Sequence, residues 1–423
     1  RNVNMANVVV RKFMFANKRK VIGILLSLSI GGCIFLCTTY MVENLKVHAE
    51  LSLISDDGLG SEYRISLKSD SLKDTIPEAV ADKIKNMPET ENVYATKYTM
   101  GELQISKNEF LSEEEWSDYF KYQNQEPYYI QRYDGICKQQ EDGNYRIKYN
   151  VYGYDEAMIE QLRDFILEGE IQPETIKNNN QVIVTANMDG QGNYFFYGKK
   201  PGDTITLRVP KTENYTDELL KFQSGEENYI EKEFEIAAIV NRPLAQEKDF
   251  LNTEVWKNAQ SVIMTGEQME ENFGITDYSF INASPADSAD AKIVSNQLLQ
   301  VIRDVPKAVL QDYTTAIATQ KGYLGQQQIF FSSIAVILLI ISLFHIVNSM
   351  SHTILTRRRE YGIIRAIGIT DGGFYKMILQ TGILYGLLAD VFIYLIYNRV
   401  LRRVMNYYLA HVLQFLHYTT NIP

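Results

Sequence analysis

Hydrophobic and polar positions are sorted into long blocks rather than spread evenly along the chain. Val21 to Val42 reads VIGILLSLSIGGCIFLCTTYMV and Ile329 to Met350 reads IFFSSIAVILLIISLFHIVNSM, with no Asp, Glu, Lys or Arg in either. A third run, Met377 to Tyr397, is apolar apart from Asp390. A helix crosses a bilayer core with about 20 apolar residues, so each run predicts a transmembrane span. The spans are expected at 21–44, 329–352 and 377–397. The first is too long for a secretory signal peptide and is followed by no small-residue cleavage site. It reads as an uncleaved anchor.

The long interval between the first two spans, 45–328, is patterned as a folded domain. Tyr63 to Leu67 and Tyr145 to Tyr149 alternate as half-buried strands do. Pro77 to Asn86, Asp155 to Glu168 (with Gly169 as a stop) and Asp287 to Ile302 carry apolar residues at helical spacing. Strand signals dominate from about 180 to 275: Gln181 to Thr185, Thr204 to Val209, Phe234 to Val240 and Ser261 to Thr265. A further strand is expected at Ala308 to Asp312. The predicted fold class is a membrane protein with α-helical spans and a large inserted α/β domain containing a β-rich subdomain at 180–275. Gly322 to Gln328 (GYLGQQQ) reads as a short polar join to the second span.

Charge gives this block pattern an orientation. Mean hydropathy is only −0.20, which by itself would suggest a soluble protein. Residues 1–20 carry six bases and no acid, and 353–376 carries five bases against Glu360 and Asp371. Residues 45–328 instead hold 48 acids and 28 bases. Positive flanks stay in the cytoplasm, so the amino terminus and the loop 353–376 are expected inside and 45–328 outside. Arg399, Arg402 and Arg403, after the third span, run against this pattern. Segment 398–423 is therefore read as extracytoplasmic or interfacial, with the arginine stems lying against lipid. Residues 1–20 mix Val8 to Val10 and Phe13 to Phe15 with bases and read as an amphipathic helix on the inner membrane surface; an unstructured basic flank is the alternative.

Candidate chemistry is sparse. Five histidines, none in the strand-rich region, and three cysteines form no catalytic or metal-ligating pattern. No catalytic, cofactor or metal residue is expected, and no nucleic-acid partner. His345, Asn348 and Asp390 are polar groups inside predicted spans, where helix-to-helix hydrogen bonds or a proton or substrate path are the two readings. Gly31-Gly32 and Gly382 with Gly386 offer small faces for close helix approach. Glu113 to Glu115 and Glu231 to Glu235 read as solvated faces or as an attraction for a cationic peptide. Outer tyrosines such as Tyr119, Tyr122, Tyr128, Tyr129 and Tyr133 read as partly buried strand residues or a recognition surface.

Two segments carry a family resemblance. Thr356 onward reads TRRREYGIIRAIGITDGGFYKMIL and leads straight into the third span. Its Glu360-x-Gly362-x-x-Arg365-Ala366-Ile367-Gly368 core resembles the inner loop of FtsX/MacB-type ABC transporter permeases. Residues 181–207, with Gly202-Asp203-Thr204 opening a strand, then Phe234 to Asn241, and 151–171 before them, are similar to that family's periplasmic core domain. The resemblance implies a non-catalytic permease subunit in a bacterial cytoplasmic membrane, multi-pass, whose outer domain moves when a separate ATPase binds ATP and Mg. It makes Arg358, Arg359, Glu360, Gly362, Ile363, Ile364, Arg365, Ala366, Ile367 and Gly368 the ATPase-coupling residues. A helix here sets Ile363, Ile364 and Ile367 among cations, suited to a groove on the ATPase. Gly368 is expected to end that helix, and Asp371-Gly372-Gly373 to turn the chain into the third span.

The chain has no GxxxxGK[ST], so the ATPase is expected as a separate chain. A second permease chain or half and membrane lipids are expected partners too. The family's fourth span is missing from the pattern, so a truncated subunit or half of a duplicated permease is expected. Export or membrane clearance of a peptide or amphiphile (an antimicrobial peptide among them) is the leading role. FtsX-like activation of a cell-wall hydrolase is the second role, and an anchored receptor or scaffold without ATPase is the third.

Overall fold

The structure is a computed structural model that describes residues 18–52, 60–69, 71–111, 134–188, 194–213, 215–223, 225, 227–246, 261–356, 358–366 and 370–407. The chain divides into two compact units, 1–48 with 321–423, and 49–320.

In the second unit the strands are β1 (Tyr63–Leu67), β2 (Thr90–Ile105), β3 (Cys137–Gln139), β4 (Tyr145–Tyr154), β5 (Ile166–Gly169), β6 (Gln181–Thr185), β7 (Asn187–Met188), β8 (Tyr194–Phe195), β9 (Thr204–Pro210), β10 (Tyr229–Val240), β11 (Ser261–Thr265), β12 (Phe280–Pro285) and β13 (Ala308–Asp312). The long strand β2 serves two assemblies. Its first half, Thr90 to Thr96, lies antiparallel to β12, in the order β13-β1-β12-β2. Its second half, Lys97 to Ile105, pairs with β4 on one side and, through Glu102 to Gln104, with β9 on the other. From there β9, β10, β6, β11 and β4 follow in turn, and β4 returns to β2. The six strands form a closed ring, which leaves none of its six members with a free lateral edge inside the ring.

The strand-rich stretch read over 180–275 is therefore four strands of a larger ring. The other two members, β2 and β4, come from residues 90–105 and 145–154. Nothing in local periodicity marks a ring, because closure depends on pairings between strands distant in the chain. The core of the ring includes Leu103, Ile147, Val151, Ile183, Leu207 and Ile236, all fully buried.

The antiparallel layer β13-β1-β12-β2 has a separate core. The helices α1 (Lys18–Ser52), α2 (Glu78–Lys85), α3 (Lys107–Leu111), α4 (Glu156–Gln161), α5 (Pro173–Asn178), α6 (Gly266–Phe273) and α7 (Ala291–Val301) precede β13. Val80, Ala81 and Ile84 of α2 and Val294 and Leu298 of α7 pack with Tyr63, Ile65 and Ile281. The helical periods read at 77–86 and 287–302 thus bury the faces their spacing marks. Asp290 caps α7 by accepting from the Lys292 amide at 2.8 Å.

The helix read over 155–168 is shorter than expected. α4 ends at Gln161, a 3-10 turn covers Leu162–Phe165, and Ile166–Gly169 become β5 against β10. The pairing of Ala238 with Gly169 overrides a helical pattern that local spacing alone supported.

In the first unit, α1 contains the apolar run 21–42. The long helix α8 (Thr314–Thr356) contains the second and α10 (Asp371–Ile396) the third up to Ile396, with the short α9 (Arg358–Ala366) between them. Among the described residues, helical stretches 314–341 and 372–405 are long and apolar enough to cross a membrane, and Ser29–Val42 is a shorter apolar stretch. Residues 322–328, read as a polar join, lie inside α8. Past Ile396 the chain does not leave helical geometry. A π-helical turn, Tyr397–Leu401, leads into α11, Arg402–Tyr407. The basic helix read over 1–20 and the end of segment 398–423 lie outside the described residues, apart from Lys18–Lys20 and 398–407.

Candidate functional site: the short helix between two long apolar helices

α9 has the sequence RREYGIIRA. Successive residues on a helix turn by about 100°. Arg358, Arg359, Gly362, Ile363 and Ala366 therefore fall within about 140° of one another, and all five are exposed. This face combines two guanidinium groups with an exposed isoleucine and two small residues that let another surface come close. Tyr361 lies outside this arc and is half-buried. Its ring meets Phe374 of α10 edge-to-face, with 5.4 Å between centroids and 80° between planes.

Of Glu360, Ile364 and Arg365 the structure gives the backbone, on α9; Ile367 and Gly368 lie outside the described residues. Asp371-Gly372-Gly373 is not the turn expected. It is the first turn of α10, because Thr370 is the N-cap and its Oγ1 accepts from the Gly373 amide at 3.2 Å.

Of His345, Asn348 and Asp390 in the apolar helices, two have described side chains. Asn348 on α8 and Asp390 on α10 are both exposed. His345 is placed on α8 by its backbone alone.

The seam between α1 and α10 is sharper than the sequence suggested. Gly32 faces Ile393 so closely that a Cβ there would lie 2.4 Å from Ile393 Cδ1. Gly386, read as a similar contact, has open space around it. Tyr40 and Tyr397 pack edge-to-face at 6.4 Å and are both buried. A groove beside this seam is lined by Leu26, Ser29, Cys33 and Cys37 of α1 with Ile396 and Leu401. Neither tyrosine carried a signal in the sequence, because their contact is set by helix packing rather than by spacing along one helix.

In the ring, Glu231, Glu233 and Glu235 are exposed on β10, as expected of a solvated face. Glu113 to Glu115 and Tyr119 to Tyr133 lie outside the described residues. No group of three or more His, Cys, Asp or Glu side chains suited to a metal ion occurs among the described residues.

Residues 332–418 match the family model described as FtsX-like permease C-terminal. The chain carries an FtsX-like permease region. It contains most of α8, all of α9 and α10, and thus every residue read as a coupling residue. No curated protein matches the sequence. Among solved structures, the periplasmic region of MacB from Actinobacillus actinomycetemcomitans is similar at 8% identity, over 62% of this chain and 94% of that one, with a TM-score of 0.34. The extracellular domain of the noncanonic ABC-type transporter YknZ from Gram-positive bacteria is similar at 9% identity, over 60% of this chain and 100% of that one, with a TM-score of 0.32. The matched region overlaps both helical stretches that are long and apolar enough to cross a membrane.

Proposed function

We propose that this chain is the membrane subunit of an ABC-type transporter and that α9 is its contact with a separate P-loop ATPase. The carrying observation is the exposed Arg358, Arg359 and Ile363 face on a short helix set between two long apolar helices. An exposed isoleucine flanked by guanidinium groups fits an apolar groove rimmed by acids. ATP and Mg would be held by that partner. The ATPase pulls on α9, the long helices tilt, and the ring-bearing unit moves on the other side of the membrane. α9 and the amino terminus would then be cytoplasmic and residues 45–328 extracytoplasmic, as the basic flanks argue. The cargo would be a peptide or amphiphile, exported or cleared from a bacterial cytoplasmic membrane by a pair of permease chains or halves.

The test is the triple variant Arg358→Ala, Arg359→Ala, Ile363→Ala, which removes the exposed face. Membrane insertion should be unchanged while stimulation of the ATPase by the permease falls at least tenfold. Unchanged transport in that variant would remove α9 from the coupling role. A stoichiometric ATPase in the purified complex separates this reading from that of an anchored receptor. Transport into vesicles separates it from activation of a cell-wall hydrolase.

A further inference from the structure

α9 and α10 are joined by side chains as well as by backbone. The Tyr361 and Phe374 rings meet edge-to-face at 5.4 Å, and Phe374 meets Tyr375 at 6.3 Å and 64°. The cap at Thr370 fixes where Phe374 sits. Thr370 Oγ1 accepts from the Gly373 amide, and the Phe374 amide donates to the Thr370 carbonyl at 3.0 Å. Phe374 is therefore held by the first turn of α10, and whatever holds Phe374 also holds Tyr361.

Glycines flank this contact on both helices: Gly362 on α9, and Gly372 and Gly373 in the first turn of α10. Gly362 and Gly372 have no atom within 4 Å of where a Cβ would be, so neither is required by crowding. Glycine stiffens a chain less than any other residue. An edge-to-face ring pair is directional, because the ring edge is drawn to the negative face of its partner.

We infer that Tyr361 and Phe374 are a positioning pair: they hold the exposed Arg358–Arg359–Ile363 face at a set angle to α10, and a displacement of α9 reaches α10 through the two rings. This rests on the reading of α9 as the docking helix, although the contact can be tested without it. Nitroxide labels at Arg359→Cys and Lys376→Cys, both exposed positions, report the angle between the helices in the full-length chain with its native cysteines replaced by serine. A single narrow distance distribution is expected. Phe374→Ala and Tyr361→Ala should each broaden it about twofold, and the two together should broaden it no further. Tyr361→Phe, which keeps the ring, should restore the narrow distribution. Unchanged widths in both alanine variants overturn the inference, and so does broadening that Tyr361→Phe fails to reverse.

In the assembled transporter, with native cysteines and no labels, the alanine variants should co-purify as much ATPase as the unsubstituted chain. Stimulation of that ATPase should fall severalfold, with recovery in Tyr361→Phe. Loss of co-purification would mean that the pair builds the docking surface itself, which also overturns a positioning role. If the distances respond while the unsubstituted permease binds no ATPase, the ring contact stands and the docking assignment alone falls.

Discussion

Glu102 on β2 and Lys148 on β4 are register partners whose side chains meet at 2.5 Å with each no more than 3% exposed. The other register partner of Glu102, Arg208 on β9, reaches its second oxygen at 3.0 Å. The row Arg208–Glu102–Lys148 therefore crosses three adjacent strands, on the opposite strand faces from Leu103, Leu207 and Ile147. Arg146 stands 3.9 Å from the same carboxylate. One carboxylate faces three cations, and the segment after the 3-10 turn Asp217–Leu220 completes their coordination. The Gln223 and Gly225 carbonyls accept from Arg208 at 2.9 and 2.6 Å, Phe222 covers Lys148, and Tyr229 covers Arg208.

Removing Glu102 should be among the most damaging single changes in this unit. A buried pair broken from one side leaves uncompensated charge, at a cost of about 3–5 kcal/mol. Burial already drives the Lys148 ammonium below its ordinary pKa, with Arg208 and Arg146 adding to the effect and Glu102 opposing it. In Glu102→Gln that opposition is lost. Urea unfolding should show the midpoint of Glu102→Gln falling sharply. In the double variant Glu102→Gln, Lys148→Met the loss should be smaller than the two single losses combined, because the two sites share one interaction.

Asp155 predicts a pH dependence. Its carboxylate caps α4 by accepting from the Met158 amide at 2.9 Å, yet burial raises its pKa above the ordinary 3.8. The folded state then holds the proton more tightly than the unfolded one between 3.8 and the raised value. Stability falls as pH rises through that window, and the penalty is complete above it. Asp155→Asn keeps a good capping residue and removes the penalty, so on going from pH 3.5 to 7 its unfolding midpoint should rise relative to that of the unsubstituted chain. Asp155→Ala loses the cap and should cost about 1 kcal/mol.

Two glycines separate backbone crowding from side-chain crowding. Gly169 has φ +91°, and a Cβ there would lie 2.3 Å from the Ala237 carbonyl oxygen and 2.8 Å from Ala238 Cα. Gly153 would meet the Cγ of Met269 at 2.5 Å, an atom on a flexible chain. Gly169→Ala should therefore destabilise by more than about 2 kcal/mol, combining strain with overpacking, and Gly153→Ala by less. Thermal unfolding of both variants side by side checks the order.

Cys137, on the short strand β3, is 9% exposed, and burial pushes its thiol pKa up to about 12. The thiolate is the reactive form. A maleimide at pH 7.5 should leave Cys137 unmodified in the folded chain and modify it at the rate of unfolding in urea. Fast labelling in buffer would contradict the burial of β3 against β4. A Cys33→Ser, Cys37→Ser background confines the readout to this thiol.

Local spacing was enough to place much of this molecule. The two charge-free runs sit inside α1 and α8, and the third apolar run lies in α10 up to Ile396. The alternating segments at 63–67, 181–185, 204–209, 234–240 and 261–265 are strands, and the helices at 78–85 and 291–301 bury their apolar faces. For the candidate site, the residues of α9 were legible as a basic, partly apolar helix. Their partner across the 367–369 connection was not, because Tyr361 and Phe374 meet through a contact that no periodicity encodes.

The sequence by itself determined which segments are apolar enough for lipid and which are basic, since those properties belong to residues one at a time or a few positions apart. Only the tertiary structure decided that β2 and β4 close a ring with four later strands, and that Ile166–Gly169 is a strand. It also decided that Glu102 is matched with Lys148 and Arg208. Each of these is a choice of partner between positions far apart in the chain. That choice is made by burying apolar faces and satisfying buried charge together, a property of the whole arrangement rather than of any local stretch.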